Sequence, residues 1–162
     1  TYMSGDESEK KAAELYKSEL AKLNIDLEVR SMPWDSQWEM AKAQDPADRQ
    51  DILIMYWWPD YPSPYSWLYN LYHSEEEILF NLSYWKNEEF DELIDTADQM
   101  SGVDRDKGEE QYVEAQKILI EEAPSFYPYD KQCVWVMNES FKGHEGNPIY
   151  PNVVFFYNTY RE

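Results

Sequence analysis

The segment Tyr56-Trp57-Trp58-Pro59-Asp60-Tyr61-Pro62-Ser63-Pro64-Tyr65-Ser66-Trp67 gathers most of this chain's chemistry. It sets one carboxylate, Asp60, among indoles on a stretch stiffened by prolines. A carboxylate partly desolvated by Trp57 and Trp58 can hold a ligand ammonium through a charge-assisted hydrogen bond. Aromatic faces add apolar area and cation–π attraction. Prolines limit the ordering cost of binding. The same residues also fit a glycosidase subsite, where indoles stack on sugar and two acids flank the bond. That reading needs a second acid, and among 33 acidic residues the sequence singles out none. A plainer alternative is a surface turn capped by Asp60, with the aromatics in the core.

Other chemistries find little material. With five glycines there is no phosphate-cradling loop, and Gly-x-Ser-x-Gly is absent. His73 and His144 are far apart and lack metal-ligand spacing. Cys133, inside Cys133-Val134-Trp135-Val136-Met137, reads as a buried strand hydrophobe rather than a nucleophile. No cofactor and no metal are expected.

The elements that must position the aromatic segment follow from periodicity. Ile52-Leu53-Ile54-Met55 reads as a strand buried on both faces, running from about 51 to 58 within a parallel sheet. In open α/β sheets ligands lie beyond the carboxyl ends of strands, which is where Asp60 falls. Upstream, residues 7–23 carry an apolar stripe of Ala12, Tyr16, Leu20 and Leu23 and read as a helix. Ser4 with Glu7, or Asp6 alone, could cap it, and Asn24 could stop it in the left-handed conformation. Ile25, Leu27 and Val29 alternate like a strand. A short helix is expected over 34–43, and another over 65–72. Residues 73–86 look irregular. Asn87 caps a helix with Phe90, Leu93, Ile94 and Ala97 on one face. A long helix over 104–122 ends at Pro124. Strands are expected at 132–137 and 153–157. Runs such as Glu75-Glu76-Glu77 and Glu121-Glu122 read as solvated faces. The order predicts one α/β domain spanning 1–162, a mixed and mostly parallel sheet flanked by helices.

The chain has 162 residues, 33 acidic and 14 basic, for a net charge of −19. That balance leaves no basic footprint for nucleic acid. It also disfavours an anionic membrane surface. Aromatic residues make up 17%, a level that suits sugar or peptide binding or a tightly packed core. The opening Thr1-Tyr2-Met3 reads as an excised or processed piece.

Taken in order, these motifs resemble the family 5 extracellular solute-binding proteins, the peptide- and nickel-binding type that serve ABC transporters. The resemblance rests on Tyr2-Met3-Ser4-Gly5, Ala13-Glu14-Leu15-Tyr16, Leu23-Asn24-Ile25-Asp26-Leu27 and Trp38. It continues through Trp57-Trp58-Pro59-Asp60-Tyr61-Pro62-Ser63-Pro64 and Asn81-Leu82-Ser83-Tyr84-Trp85. It ends with Phe90-Asp91-Glu92-Leu93-Ile94-Asp95-Thr96-Ala97 and Ile118-Leu119-Ile120-Glu121-Glu122-Ala123-Pro124. The resemblance implies the C-terminal lobe of a type II periplasmic-binding-protein-like fold, with the N-terminal lobe absent. It implies that Asp60 meets a peptide α-ammonium and that Trp57 and Trp38 wall the ligand cavity; Trp58 and Tyr61 join them as candidate ligand-binding residues. Implied partners are a short peptide, or alternatively an oligosaccharide, the missing lobe and an ABC permease. The implied location is extracytoplasmic, at the cell surface or in the periplasm, with lipid anchoring of the longer protein in keeping. Two departures stand out. Ser63 occupies a position where many relatives carry an acid, and Ile52–Met55 lacks the arginine that helps some peptide binders hold the ligand carboxylate.

Overall fold

The computed structural model describes residues 1–147, 149–150 and 153–162. Its first half is built around a short strand, β1 (Tyr2–Met3). Helix α1 (Glu7–Ala21) follows, then β2 (Ser31–Met32) and α2 (Trp34–Ala41). β1 and β2 are parallel, with Tyr2 opposite Ser31 and Met3 opposite Met32. On the other side of β1, Thr1 N donates to Ile52 O at 2.6 Å and Ile54 N donates to Thr1 O at 3.1 Å. That alternation is the hydrogen-bond pattern of a parallel pair. The apolar run therefore does lie parallel to β1, for a single rung.

The expected sheet is otherwise not formed. The molecule is mostly helical, with two tiny two-stranded sheets. Residues 51–58 form no strand, and 52–57 are half-buried rather than buried on both faces, with Asp51 and Trp58 exposed. The alternating stretch 25–30 has no ladder, and 132–137 forms no strand. Val134 and Val136 are 75% and 92% exposed, and Cys133 is exposed too. In place of a strand over 153–157 there is a 3-10 turn, Phe156–Asn158. The second sheet pairs β3 (Phe141–Lys142) and β4 (Tyr160–Arg161) antiparallel. The reason is cooperative. A strand is held by its neighbours, and an apolar run with a partner on one edge or none stays open coil however strong its propensity.

The helices match the sequence pattern closely. Asp6 caps α1, accepting from Ser8 N at 2.9 Å and Glu9 N at 3.0 Å. Asn24 takes the left-handed conformation at φ 62°. Ser63 caps α3 (Pro64–Tyr72) by accepting from Tyr65 N at 3.2 Å. Pro64 opens that helix, where its missing N–H costs nothing. Asn87 caps α4 (Glu88–Ser101) and Asp104 caps α5 (Arg105–Glu122). The core lies among these three helices. Phe90, Ile94 and Ala97 of α4 meet Tyr112, Ala115 and Leu119 of α5 and Leu68 and Tyr72 of α3. A Cβ at Gly108 would stand 3.0 Å from Ala97 O, so the α4–α5 approach is set by a missing side chain.

Of the two acidic runs expected to be solvated faces, Glu76, Glu77 and Glu121 are exposed, while one residue of each run also ties the fold together. Glu75 accepts from Leu79 N at 2.7 Å and Asn81 N at 3.2 Å. Glu122 accepts from Trp85 Nε1 at 2.6 Å and Asn87 Nδ2 at 2.8 Å. A carboxylate that collects N–H donors repays its desolvation through charge-assisted bonds.

Asp6 also takes a bond from Lys131 Nζ at 2.9 Å, joining α1 to a segment far along the chain. The backbone N–H of Glu9 foremost, then the Lys131 ammonium, hold its carboxyl below the ordinary 3.8. An acid depressed in this way stabilises the fold above its unfolded pKa and loses that contribution as pH falls through its folded value. Asp6→Ala should therefore lower stability by about 1 kcal/mol near neutrality. The gap to the parent should close as pH drops below 3.8. Urea unfolding at several pH values measures both.

Candidate ligand-binding site

The single rung between β1 and residues 52–54 aims the aromatic segment past the end of the small sheet. α2 leaves β2 on the same side, and the two meet in an open cleft of about 410 Å³. Trp34, Asp35, Trp38, Glu39, Trp57 and Phe80 line it. The rings interlock. Trp34 and Trp38 are 5.3 Å apart, Trp38 meets Phe80 edge-on at 5.9 Å, and Trp57 meets Phe80 edge-on at 5.2 Å. Edge-to-face pairs at these distances are favourable arrangements of ring quadrupoles. The Trp57 indole N–H is shut off from solvent and finds no acceptor among the described residues.

Phe80 reaches the cleft because polar bonds shape the irregular loop that carries it. Asn81 is 1% exposed. Its Nδ2 donates to Tyr72 O, His73 O and Trp85 O at 3.3, 3.1 and 2.9 Å, and its Oδ1 accepts from Ser83 Oγ at 2.7 Å. Glu75 pins the residues on either side of Phe80. Tyr84, left-handed at φ 58°, sends its hydroxyl to Ala41 O at 2.9 Å, fastening the loop to the end of α2. The Arg49 guanidinium lies 3.7 Å over the Tyr84 ring and its Nε donates to Ala43 O at 2.7 Å.

Of the residues singled out in the sequence, Trp38 and Trp57 share this cleft. Trp58, Asp60 and Tyr61 do not line it. Trp57 packs against Phe80, whereas Trp58 has no such ring partner among the described residues. Trp58 is 49% exposed. Asp60 turns toward α3. Its N–H donates to Ser66 Oγ at 2.8 Å, and its carboxylate accepts from Asn70 Nδ2 at 3.2 Å. The Tyr150 hydroxyl donates to Asp60 O. The Asp60 side chain is exposed, and among the described residues no lysine or arginine pairs with it. Tyr61 sits beside Asp98 and Asp60. Burial first, then those two carboxylates, push its hydroxyl above the ordinary range. Burial likewise pushes Tyr65 up to about 12, with Tyr69, Asp98 and Asp95 adding to it. Trp34, Asp35, Glu39 and Phe80 were missed in the sequence. For the first three, the signal was Trp34 and Trp38 four apart on a short helix, with Asp35 and Glu39 in step. For Phe80 there was none, since its loop has no period.

The arrangement is thus an open aromatic cleft with acidic edges, and nearby an exposed carboxylate, Asp60, that accepts from Asn70. Residues 1–77 match the family described as bacterial extracellular solute-binding proteins, family 5 Middle. A probable D,D-dipeptide-binding periplasmic protein of Escherichia coli is 33% identical over 104 residues, covering 64% of this chain and 20% of that protein. A dipeptide-binding protein and a di/tripeptide-binding protein 3, both of Pseudomonas aeruginosa, are each 29% identical over 144 residues, covering 88% of this chain and 26% of theirs. Over residues 1–77 the chain is thus similar to family 5 extracellular solute-binding proteins, and over most of its length to relatives named for dipeptides and tripeptides. It spans between a fifth and about a quarter of the length of these relatives.

Glu75→Ala should release Phe80 from the cleft while leaving the three-helix core intact. Acrylamide quenching of tryptophan emission should rise, and the rise should be absent in a Trp38→Phe/Trp57→Phe background. Unchanged quenching would show that Glu75 does not hold the third side of the cleft.

Proposed function

We propose that this chain forms part of the ligand-binding region of an extracytoplasmic receptor that delivers short peptides to an ABC importer. The observation that carries the reading is the Asp60 carboxylate. It is solvent-facing, oriented by the Asn70 amide and not neutralised by a basic side chain among the described residues. An oriented, unpaired carboxylate suits the α-ammonium of a peptide through a charge-assisted bond. Asp98, which acts with Asp60 on Tyr61, adds negative potential at the same edge. The relatives named for dipeptides and di/tripeptides support the same ligand class.

On this reading residues 1–162 make one lobe, and a second lobe closes over the ligand. Trp38 and Trp57 then serve as one wall of the cavity, and Trp58, Asp60 and Tyr61 as its rim. Hinge closure would present the liganded form to the permease. The receptor works in the periplasm or at the cell surface, as the extracellular family matched by residues 1–77 implies. Binding of this kind requires no proton transfer, and no catalytic role is assigned to any residue.

A second ligand class, an oligosaccharide, is favoured by the indoles of Trp34, Trp38 and Trp57, since sugar rings stack on such faces. Calorimetry with dipeptides and with cello- and xylo-oligosaccharides separates the two.

Asp60→Asn in the full-length protein should weaken binding of an N-terminally free dipeptide by about 2–5 kcal/mol. Acetylating the peptide should cause a similar loss in the parent and little further loss in the variant. An acetylated peptide that binds the parent as tightly as the free one removes Asp60 from this role.

A further inference from the structure

The chain contains the pattern Asn-x-Ser twice, with a residue other than proline in the middle, at Asn81-Leu82-Ser83 and at Asn138-Glu139-Ser140. On proteins that leave the cytoplasm this pattern accepts an N-linked glycan. It is short enough to arise by chance, so the surroundings of each occurrence decide whether it can react. The reacting atom is the carboxamide Nδ2, which must be reachable and free of other partners. The pattern also requires the hydroxyl two residues on.

Asn81 meets neither condition. It is buried, and its Nδ2 already donates to Tyr72 O, His73 O and Trp85 O. Its Oδ1 takes up the Ser83 hydroxyl. A sugar on this nitrogen would break the bonds that shape the loop carrying Phe80. Asn138 has the opposite environment. It is exposed, as is Glu139 beside it. Its Oδ1 accepts from Ser140 N at 2.9 Å and its carbonyl accepts from Phe141 N at 2.9 Å, closing a turn that leads into β3. Ser140 O in turn accepts from Glu162 N at 3.0 Å, just past β4. The turn thus uses the amide oxygen and the backbone and spares the nitrogen. Among the described residues neither Asn138 Nδ2 nor the Ser140 hydroxyl has a hydrogen-bond partner.

Resting on the extracytoplasmic reading above, we propose that Asn138 is an N-glycosylation site and that Asn81 is not. The donor is a lipid-linked glycosyl phosphate or pyrophosphate, brought by a membrane transferase. Nδ2 bonds to the anomeric carbon, and the bond from that carbon to the phosphate oxygen breaks. The electron pair leaves with the phosphate, and Nδ2 gives up one proton to a base of the transferase. The glycan stands two residues from the exposed Val136, where a bulky hydrophilic group opposes association through the apolar stretch 133–137.

Mass spectrometry of proteolytic peptides tests this on the full-length protein isolated from its source cells. The peptide with Asn138 should carry sugar mass, and the peptide with Asn81 should be bare. Asn138→Gln should remove the glycan. Ser140→Ala should remove it as well, although it keeps the asparagine and deletes only the hydroxyl. A bare Asn138 in exported protein overturns the site while the receptor reading stands, and so does a glycan that survives Ser140→Ala. Protein confined to the cytoplasm overturns the extracytoplasmic reading and the site with it.

Discussion

The rung of backbone hydrogen bonds between Thr1 and the Ile52–Ile54 stretch holds the binding region together. It sets the apolar run parallel to β1 for one rung, on the side of β1 away from β2. In parallel sheets, the gap between strands whose connections run to opposite sides is where loops diverge and leave a crevice. Here α2 and the aromatic segment come off neighbouring positions at that end. Phe80, which meets both Trp57 and Trp38, joins the two sides of the cleft.

A second constraint comes from charge. A chain at −19 carries much self-repulsion. Some of its carboxylates are used to order backbone that has no regular structure. Glu75 and the buried Asn81 give the loop over 73–86 a defined path, and Glu122 ties that loop to the end of α5 through Trp85 and Asn87. Polar groups with several satisfied bonds can specify a single conformation where apolar packing is sparse. The aromatic cleft inherits its third side, Phe80, from this network.

The aromatic segment therefore has two neighbourhoods, the cleft at Trp57 and the α3 side at Asp60. The side with Trp57 supplies area and ring quadrupoles. The side with Asp60 and Tyr61 supplies an oriented negative charge held against α3 by Ser66 and Asn70.

Much of this could be read from residue order alone. Helices α1 and α4 were legible because each had a stripe of period 3.6 and a capping side chain at its start, Asp6 and Asn87, whereas α2 starts at Pro33 with no side-chain cap. Asn24 was legible because few other residues accept a left-handed turn. The aromatic segment stood out by composition, and Trp38 and Trp57 do line one cleft. The sheet was not legible, because strand propensity at 25–30 or 132–137 says nothing about whether a neighbour exists to pair with. Nor was the division between Trp57 and Asp60, or the arrival of Phe80. Helix formation is decided within a few residues, so sequence determined it. Strand pairing, loop path and the meeting of distant rings depend on contacts made across the chain, and only the tertiary structure decided them.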